Sequence, residues 1–262
     1  MKVSWFSAGV SSAVATKLSN PDVIIYSHID DQHPDTMRFL RDCEEWFGKK
    51  ILITQSPYKT VETACRQAAC ITMRHFAPCT KFLKIRERKL WEAANPGRHT
   101  YVWGFDKKER SRMQDRVDSM PDYDHEFPLK NLTKQDCHAI LKRAGIARPQ
   151  MYDLGFPNNN CIGCVRAEGK GYWNKIRELF PEVFAARAKM ERLIGHSIMR
   201  HSVNGVKMPI FLDELKPGEG RGMKIILEDC GAACELVAPT YEAAEIAARA
   251  FLSSLKDKEG GV

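Results

Sequence analysis

The sequence predicts an α/β fold, a doubly wound and mostly parallel sheet with a cysteine-bearing, mostly helical C-terminal part. Two observations carry this. Short apolar runs alternate with helical patterns through the first half of the chain, which is the rhythm of βαβ units. A turn of small residues, SAGVSS (7–12), follows the first run and opens the first helix.

In order, VSWFS (3–7) reads as a strand and SAVATKLSN (12–20) as a helix. DVIIYSHID (22–30) is the second strand, and HPDTMRFLRDCEEWFG (33–48) a helix ended by Gly48. KKILITQS (49–56) is the third strand; residues 60–95 are mostly helical with a break at Pro78; HTYVWGF (99–105) is a fourth strand closed by Gly104. EFPLKNL (126–132) is expected to be extended. Thr133 is an expected N-cap, with Asp136 three residues on, for a helix ending at Gly145. ARPQMYDLGFPNNNCIGC (147–164) is loop-like. A helix follows over 171–195 with Trp173, Ile176, Leu179 and Phe180 on one face, and Pro181 kinks or divides it. Residues 195–239 show no strong period, and FLDELKPGEGRG (211–222) reads as an exposed loop. The Ala-rich stretch 241–258 is a final amphipathic helix whose apolar face suits the core or, in a homodimer, a subunit contact. Residues 1–145 are expected to form a nucleotide-binding domain, with 146–262 packed on it as a cysteine-bearing region.

The chain has 262 residues, 44% of them apolar, enough for a substantial core. No apolar run approaches membrane-spanning length, so no membrane partner is expected. MKVSWFSAG lacks the pattern of a secretion signal, and a cytoplasmic location is expected. A disulfide framework is then not expected from the nine cysteines. Cys43 and Cys137 fall on helices as packing residues, and so do Cys65 and Cys70, five apart. The net charge of +7 favours polyanionic partners, and the basic residues gather in KFLKIRERK (81–89) and DKKERSRMQDR (106–116). Charge alone favours the simpler reading of two solvated helix faces.

A small-residue turn between a strand and a helix aims backbone N–H groups at one place, and the helix dipole adds positive potential. Hydroxyls of Ser7, Ser11 and Ser12 add donors. The turn lacks the Gly-Lys-Ser/Thr ending of a Walker A loop, and any βα unit needs a tight turn. The second strand ends at Asp30-Asp31, so Ser7 and Asp31 face the crevice at the carboxyl ends of the strands. Asp35 suits a helix cap.

Cys161-x-x-Cys164 is a chelating pair that needs further ligands from elsewhere. Cys79, between a Pro and a basic helix, is one candidate; Cys230 and Cys234 are others. Zinc would use Cys161/Cys164 with Cys230/Cys234 as a structural site. An iron–sulfur cluster would collect thiolates from distant loops.

Together, SxGxxS (7–12), PCTxxLK (78–84), GFxxxExxR (104–112), an FPL string ahead of a helix, and NNNCIGC followed by GYW resemble the phosphoadenosine phosphosulfate reductase family. That family belongs to the adenine nucleotide alpha-hydrolase-like, or PP-loop, superfamily. More narrowly, the chain is similar to its phage and bacterial iron–sulfur branch, over about residues 1–195. The resemblance implies a Rossmann-like, HUP-type domain that takes ATP or an adenylyl sulfate with Mg2+. Ser7, Gly9, Ser11 and Ser12 match the phosphate-binding motif, although Ala8 stands for a Gly and Ser11 for the Asp of the usual SGGxDS. Lys84, Glu109 and Arg112 match positions expected to act on the nucleotide, and Asp106 stands where an Arg is frequent. Relatives that insert sulfur into nucleic acid carry a [4Fe–4S] cluster. Cys79, Cys161 and Cys164 fit its ligands by position, with Cys230 the first candidate for the fourth. An open iron position holding sulfide is equally compatible.

The expected activity is therefore an ATP-dependent sulfurtransferase acting on a nucleic acid (tRNA or DNA) or a nucleotide, with a sulfur-donor protein as a further partner. A sulfonucleotide reductase ranks second, because EDCG (228–231) departs from the reductases' C-terminal ECG motif and the chain has no adjacent Cys-Cys pair. A zinc-stapled, non-enzymatic nucleotide-binding subunit is the third reading.

Overall fold

The computed structural model describes residues 1–72, 77–203, 206–223 and 226. The chain runs β1 (Lys2–Trp5), α1 (Val10–Ser19), β2 (Val23–His28), α2 (Asp35–Phe47), β3 (Ile51–Gln55) and α3 (Val61–Ala68). Then come α4 (Pro78–Thr80), a π-helical turn (Lys81–Ile85), α5 (Arg86–Ala94), β4 (Thr100–Val102), α6 (Arg110–Ser119), β5 (Asp124–Glu126) and α7 (Lys134–Arg143). The C-terminal part holds α8 (Gln150–Asp153), α9 (Lys170–Leu179), α10 (Pro181–Ile194), the strands β6 (Met199–Val203) and β7 (Val206–Ile210), and a 3-10 turn (Leu212–Glu214).

Five strands form one parallel sheet in the order β3-β2-β1-β4-β5. Its interior strands are covered on both faces, as a parallel sheet requires. Alternate residues go to opposite sides. Ile24, Tyr26 and Val102 join the buried cluster beneath α1, α2 and α7, while Val3, Ile25 and Tyr101 join the other. Helix α2 buries Phe39, Leu40, Cys43 and Trp46, the three-to-four spacing of one helical face. It stops at Gly48, whose φ of +66° is the left-handed conformation glycine adopts without strain. Helix α7 starts with a reciprocal cap: Thr133 Oγ1 accepts the Asp136 N–H, and the Asp136 carboxylate accepts the Thr133 N–H.

Pro181 divides the long C-terminal helical stretch into α9 and α10. These helices, α3 and the β6–β7 hairpin share a second core around Trp173, Ile176, Phe156, Met190 and Leu212. Ile29 and Val61 belong to that cluster, and Tyr152 belongs to the core of α1 and α2. The segments on either side of residue 145 are thus packed together. Cys43, Cys65 and Cys137 are fully buried packing residues, while Cys70 is half-buried. No helix among the described residues is long and apolar enough to cross a membrane.

Three expectations are corrected. The fifth strand is Asp124–Glu126, which shares only Glu126 with the predicted extended segment, and residues 128–131 form a turn. β5 pairs only with β4 and carries Asp, His and Glu, so it gives no apolar signal. The stretch after 195 contains an antiparallel hairpin. The segment 211–222 is anchored at its start, because Leu212 and Leu215 are buried. The expected final helix, with Cys230 and Cys234, lies outside the described residues.

Glu191 fastens the hairpin to α10. Its fully buried carboxylate accepts the N–H groups of Ile198 and, at 2.6 Å, Leu212. Burial pushes its pKa up to about 7 from 4.5, against the pull of the two N–H donors; Asp213 nearby raises it further and Arg192 opposes. A group whose folded pKa is raised gives its full stabilisation at low pH and loses it as pH rises through that value. Denaturant unfolding from pH 4.5 to 7 should show stability falling by about 3 kcal/mol from this group. Glu191→Gln should flatten that slope; the same slope in both proteins would contradict this account.

Candidate functional site

The strand order reverses between β1 and β4. Ligands of open α/β sheets bind at such a point, outside the carboxyl ends of the strands. The loop after β1 is held rigidly there. Ala8 sits at φ +56°, fully buried, and its carbonyl accepts Asn159 Nδ2 at 2.8 Å. Gly9 caps α1. Its N–H donates to Ser12 Oγ at 3.2 Å, and Ser12 Oγ donates to the Gly9 carbonyl at 2.8 Å. Ser7 Oγ donates to Ser12 Oγ at 3.0 Å from the exposed side. The Val10 N–H is taken by Tyr152 Oη at 3.3 Å. Ser11 bonds through its side chain to the Cys137 thiol on α7. The first-turn N–H groups of Ser11 and Ser12 have no carbonyl one turn back to bond. They leave positive potential for an anion at this helix start.

The loop after β4 lies directly against this turn. A Cβ at Gly104 would stand 2.8 Å from Ser12 Cα and 2.9 Å from Ser12 N, so the contact admits only glycine without movement. Beyond it, Glu109 accepts the Asp106 N–H at 3.1 Å and pairs with Arg112. The Arg112 guanidinium lies 4.4 Å from the Phe105 ring centroid. Lys134, at the start of α7, feels the charges of Asp106 and Glu109, and burial holds its pKa below the usual lysine value. Its Nζ donates to the Pro157 carbonyl and to Asn158 Oδ1, each at 2.5 Å.

The thiols of Cys79, Cys161 and Cys164 come from two segments and perturb one another. Cys79 opens the helix whose π-helical turn carries Lys84. Cys161 and Cys164 lie on the loop before α9. That loop turns at Gly163, where φ is +64° and a Cβ would meet Val183 Cγ1 at 2.8 Å. Tyr172 Oη accepts the Cys164 N–H at 2.8 Å. Burial pushes the Cys161 thiol up to about 12 and raises that of Cys79; the positive charge of Lys84 opposes both shifts. Thiolates are ligands of metals and clusters in general, and a neighbouring cation offsets their charge. Among the described residues, no group of three or more His, Cys, Asp or Glu side chains is placed to hold a metal ion.

Asp31 anchors this loop. It pairs with Arg187, which is 3% exposed, and its other carboxylate oxygen accepts the Val61 N–H at 2.7 Å. The Asp31 carbonyl accepts the Ile162 N–H at 2.8 Å, and Arg187 Nε donates to the Gly163 carbonyl at 3.1 Å. Both carboxylate oxygens of Asp31 are thereby engaged within the protein.

The structure thus groups the predicted residues into two neighbouring sets. Ser7, Gly9, Ser11 and Ser12 line one loop, with Glu109 and Arg112 just beyond Gly104. Cys79, Cys161, Cys164 and Lys84 form the other, with Asp31 as their support. Sequence reasoning missed Asn159, Tyr152, Arg187 and Lys134. Asn159 stands in the quoted NNNC string, but three adjacent asparagines do not reveal which one turns inward.

A parallel sheet covered by helices, with a rigid strand-to-helix turn at its switch point, defines a Rossmann-like α/β protein of the nucleotide-binding kind. A family model described as the phosphoadenosine phosphosulfate reductase domain matches residues 2–170, and the chain belongs to that family. The match takes in both the first loop and the Cys161–Cys164 pair. The family supports a related nucleotide-binding enzyme. A search of curated proteins finds no match.

Removing Arg187 leaves the part-buried Asp31 carboxylate without its cation. Arg187→Met should destabilise the protein by about 3 kcal/mol and speed the reaction of Cys161 and Cys164 with a disulfide reagent. Unchanged melting and unchanged thiol kinetics would show that the pair does not hold the loop.

Proposed function

We propose that the chain is an ATP-dependent sulfurtransferase whose acceptor is a nucleic acid or a nucleotide. The observation that carries this reading is the Asn159 side chain. It bonds the carbonyl of Ala8 in the first loop and lies two residues before Cys161, so nucleotide seat and thiols share one piece of backbone.

In this reading an acceptor oxygen attacks the α-phosphorus of ATP, and the bond to pyrophosphate breaks. The Ser11 and Ser12 N–H groups and the Ser7 hydroxyl stabilise the charge that develops on the leaving group, with Mg2+ accompanying the nucleotide. Arg112 and Lys134 hold phosphate oxygens from the far side of the loop. Displacement of AMP by a sulfur nucleophile completes the exchange of oxygen for sulfur. Cys79, Cys161 and Cys164, with Cys230 the candidate for a fourth ligand, would hold a [4Fe–4S] cluster, which would supply the place where that sulfur is kept. Lys84 balances the thiolates' negative charge. Zinc at the same thiols is the alternative metal, and it would make the site structural.

Protein purified without oxygen should contain iron and acid-labile sulfide, which Cys161→Ser loses. Stoichiometric zinc without sulfide would overturn the cluster. ATP–pyrophosphate exchange in the presence of acceptor should fall about tenfold or more in Gly104→Ala, because the added methyl pushes the β4 loop off Ser12, while iron content is kept. The family's name favours a second reading, reduction of an adenylyl sulfate. Release of sulfite from phosphoadenylyl or adenylyl sulfate, with a thiol reductant supplied and without ATP, would select it.

A further inference from the structure

The two strands at one edge of the sheet carry an unusual run of rings. β4 and β5 pair in parallel with Tyr101 opposite His125, so odd-numbered residues of both strands share a face. Tyr101, Trp103 and Phe105 stand on one strand and its extension, with Tyr123, His125 and Phe127 beside them. Trp103 and Phe105 are stacked with centroids 5.7 Å apart, and Phe105 and Phe127 at 6.2 Å. Trp103 Nε1 donates to His125 Nδ1 at 3.0 Å.

This ladder is roofed by arginine. Helix α6 buries none of its own residues. It meets the rings instead through Arg116, 5.2 Å from the Trp103 centroid, and Arg112 over Phe105. Arg116 stands within Coulombic reach of Arg88 on α5, of Arg112, and of Arg166 on the loop just past Cys164. Burial, followed by these like charges, holds the Arg116 pKa below the usual arginine value. Arg112 is paired with Glu109, and Arg88 approaches Glu92 at 3.2 Å. The charge of Arg166 also acts, weakly, on the Cys79 thiol. Guanidiniums of α5, of α6 and of the loop just past Cys164 therefore feel one another's charge, and the last of them stands two residues after Cys164. Such grouping of like charge is unfavourable for a protein alone and favourable beside a run of phosphates.

We propose that Arg88, Arg116 and Arg166, on their aromatic base, form the seat of a single-stranded nucleic-acid acceptor. Its phosphates meet the three guanidiniums, and one unpaired nucleotide reaches the thiols. An unpaired strand is required because the thiols are part-buried, and a base inside a duplex cannot enter such a site. The inference rests on the reading of the thiol centre as the place where sulfur is delivered.

Fluorescence anisotropy of the full chain with labelled RNA and DNA strands of about 16 nucleotides tests it. Three phosphate contacts predict a log–log salt slope of about −2 for single strands. Arg116→Gln with Arg166→Gln should weaken binding about tenfold or more and flatten that slope. Lys50→Gln, at the opposite edge of the sheet, should leave it unchanged. Equal binding of strand and duplex, an unaltered slope in the double variant, or no strand binding at low salt would overturn the proposal. Should the double variant fail to fold, Arg116→Lys and the wild-type slope decide: retained binding with a slope near about −2 supports the seat, and a slope near zero overturns it. Repeating the titration with Cys161→Ser separates the two claims. Strand binding retained there upholds the seat even if metal and sulfide are absent from the wild-type protein.

Discussion

The fastening of the loop at 157–164 to the ends of β1 and β2 is the constraint on which the rest depends. The Asn159 side chain bonds Ala8, the Ile162 N–H bonds the Asp31 carbonyl, and Arg187 joins the Asp31 carboxylate to the Gly163 carbonyl. Each buried hydrogen bond contributes only about 1 kcal/mol net, but leaving one partner unmet costs more. The set is therefore cooperative: loosening one end exposes polar groups at the other. Its geometric consequence matters more than its energy. Two loops far apart in sequence are held at one end of one sheet, which is the arrangement that the proposed function requires.

Electrostatics within this centre is a contest between burial and cations. Burial favours the neutral thiols of Cys79 and Cys161, while Lys84 favours their thiolates. A bound metal shifts that balance by binding the deprotonated form, so metal uptake releases protons and is itself pH-dependent. The first loop works differently. Its potential comes from fixed N–H groups and a helix start, which need no reorganisation to receive an anion. The substitution of Ala8 at a left-handed position is accommodated because the residue is buried and its carbonyl is held.

Much of the fold was legible because its signals are local. Short apolar runs mark β1 to β4, the Thr133–Asp136 cap marks α7, and Pro181 marks the break between α9 and α10. Cys79, Cys161 and Cys164 stood out by their spacing and flanking strings, and the fold brings their thiols within Coulombic reach of one another. What stayed hidden depends on partners distant in sequence. Asp31 reads as a crevice carboxylate until Arg187, 156 residues away, is seen to engage it. Tyr152 and Lys134 look like ordinary loop and helix residues until α7 and α8 pack against the first turn of α1. β5 was missed because three polar residues at a sheet edge leave no hydrophobic period, and the aromatic ladder shows only once its register with β4 is known.

The most direct test is a crystal structure of the anaerobically prepared protein with a non-hydrolysable ATP analogue, recorded with anomalous data at the iron and zinc edges. The account predicts the triphosphate on the Ser7–Ser12 turn and the anomalous peak among Cys79, Cys161 and Cys164, both open to the same crevice and joined by Asn159. A triphosphate bound away from that turn, or thiols and nucleotide opening to separate faces, would contradict it.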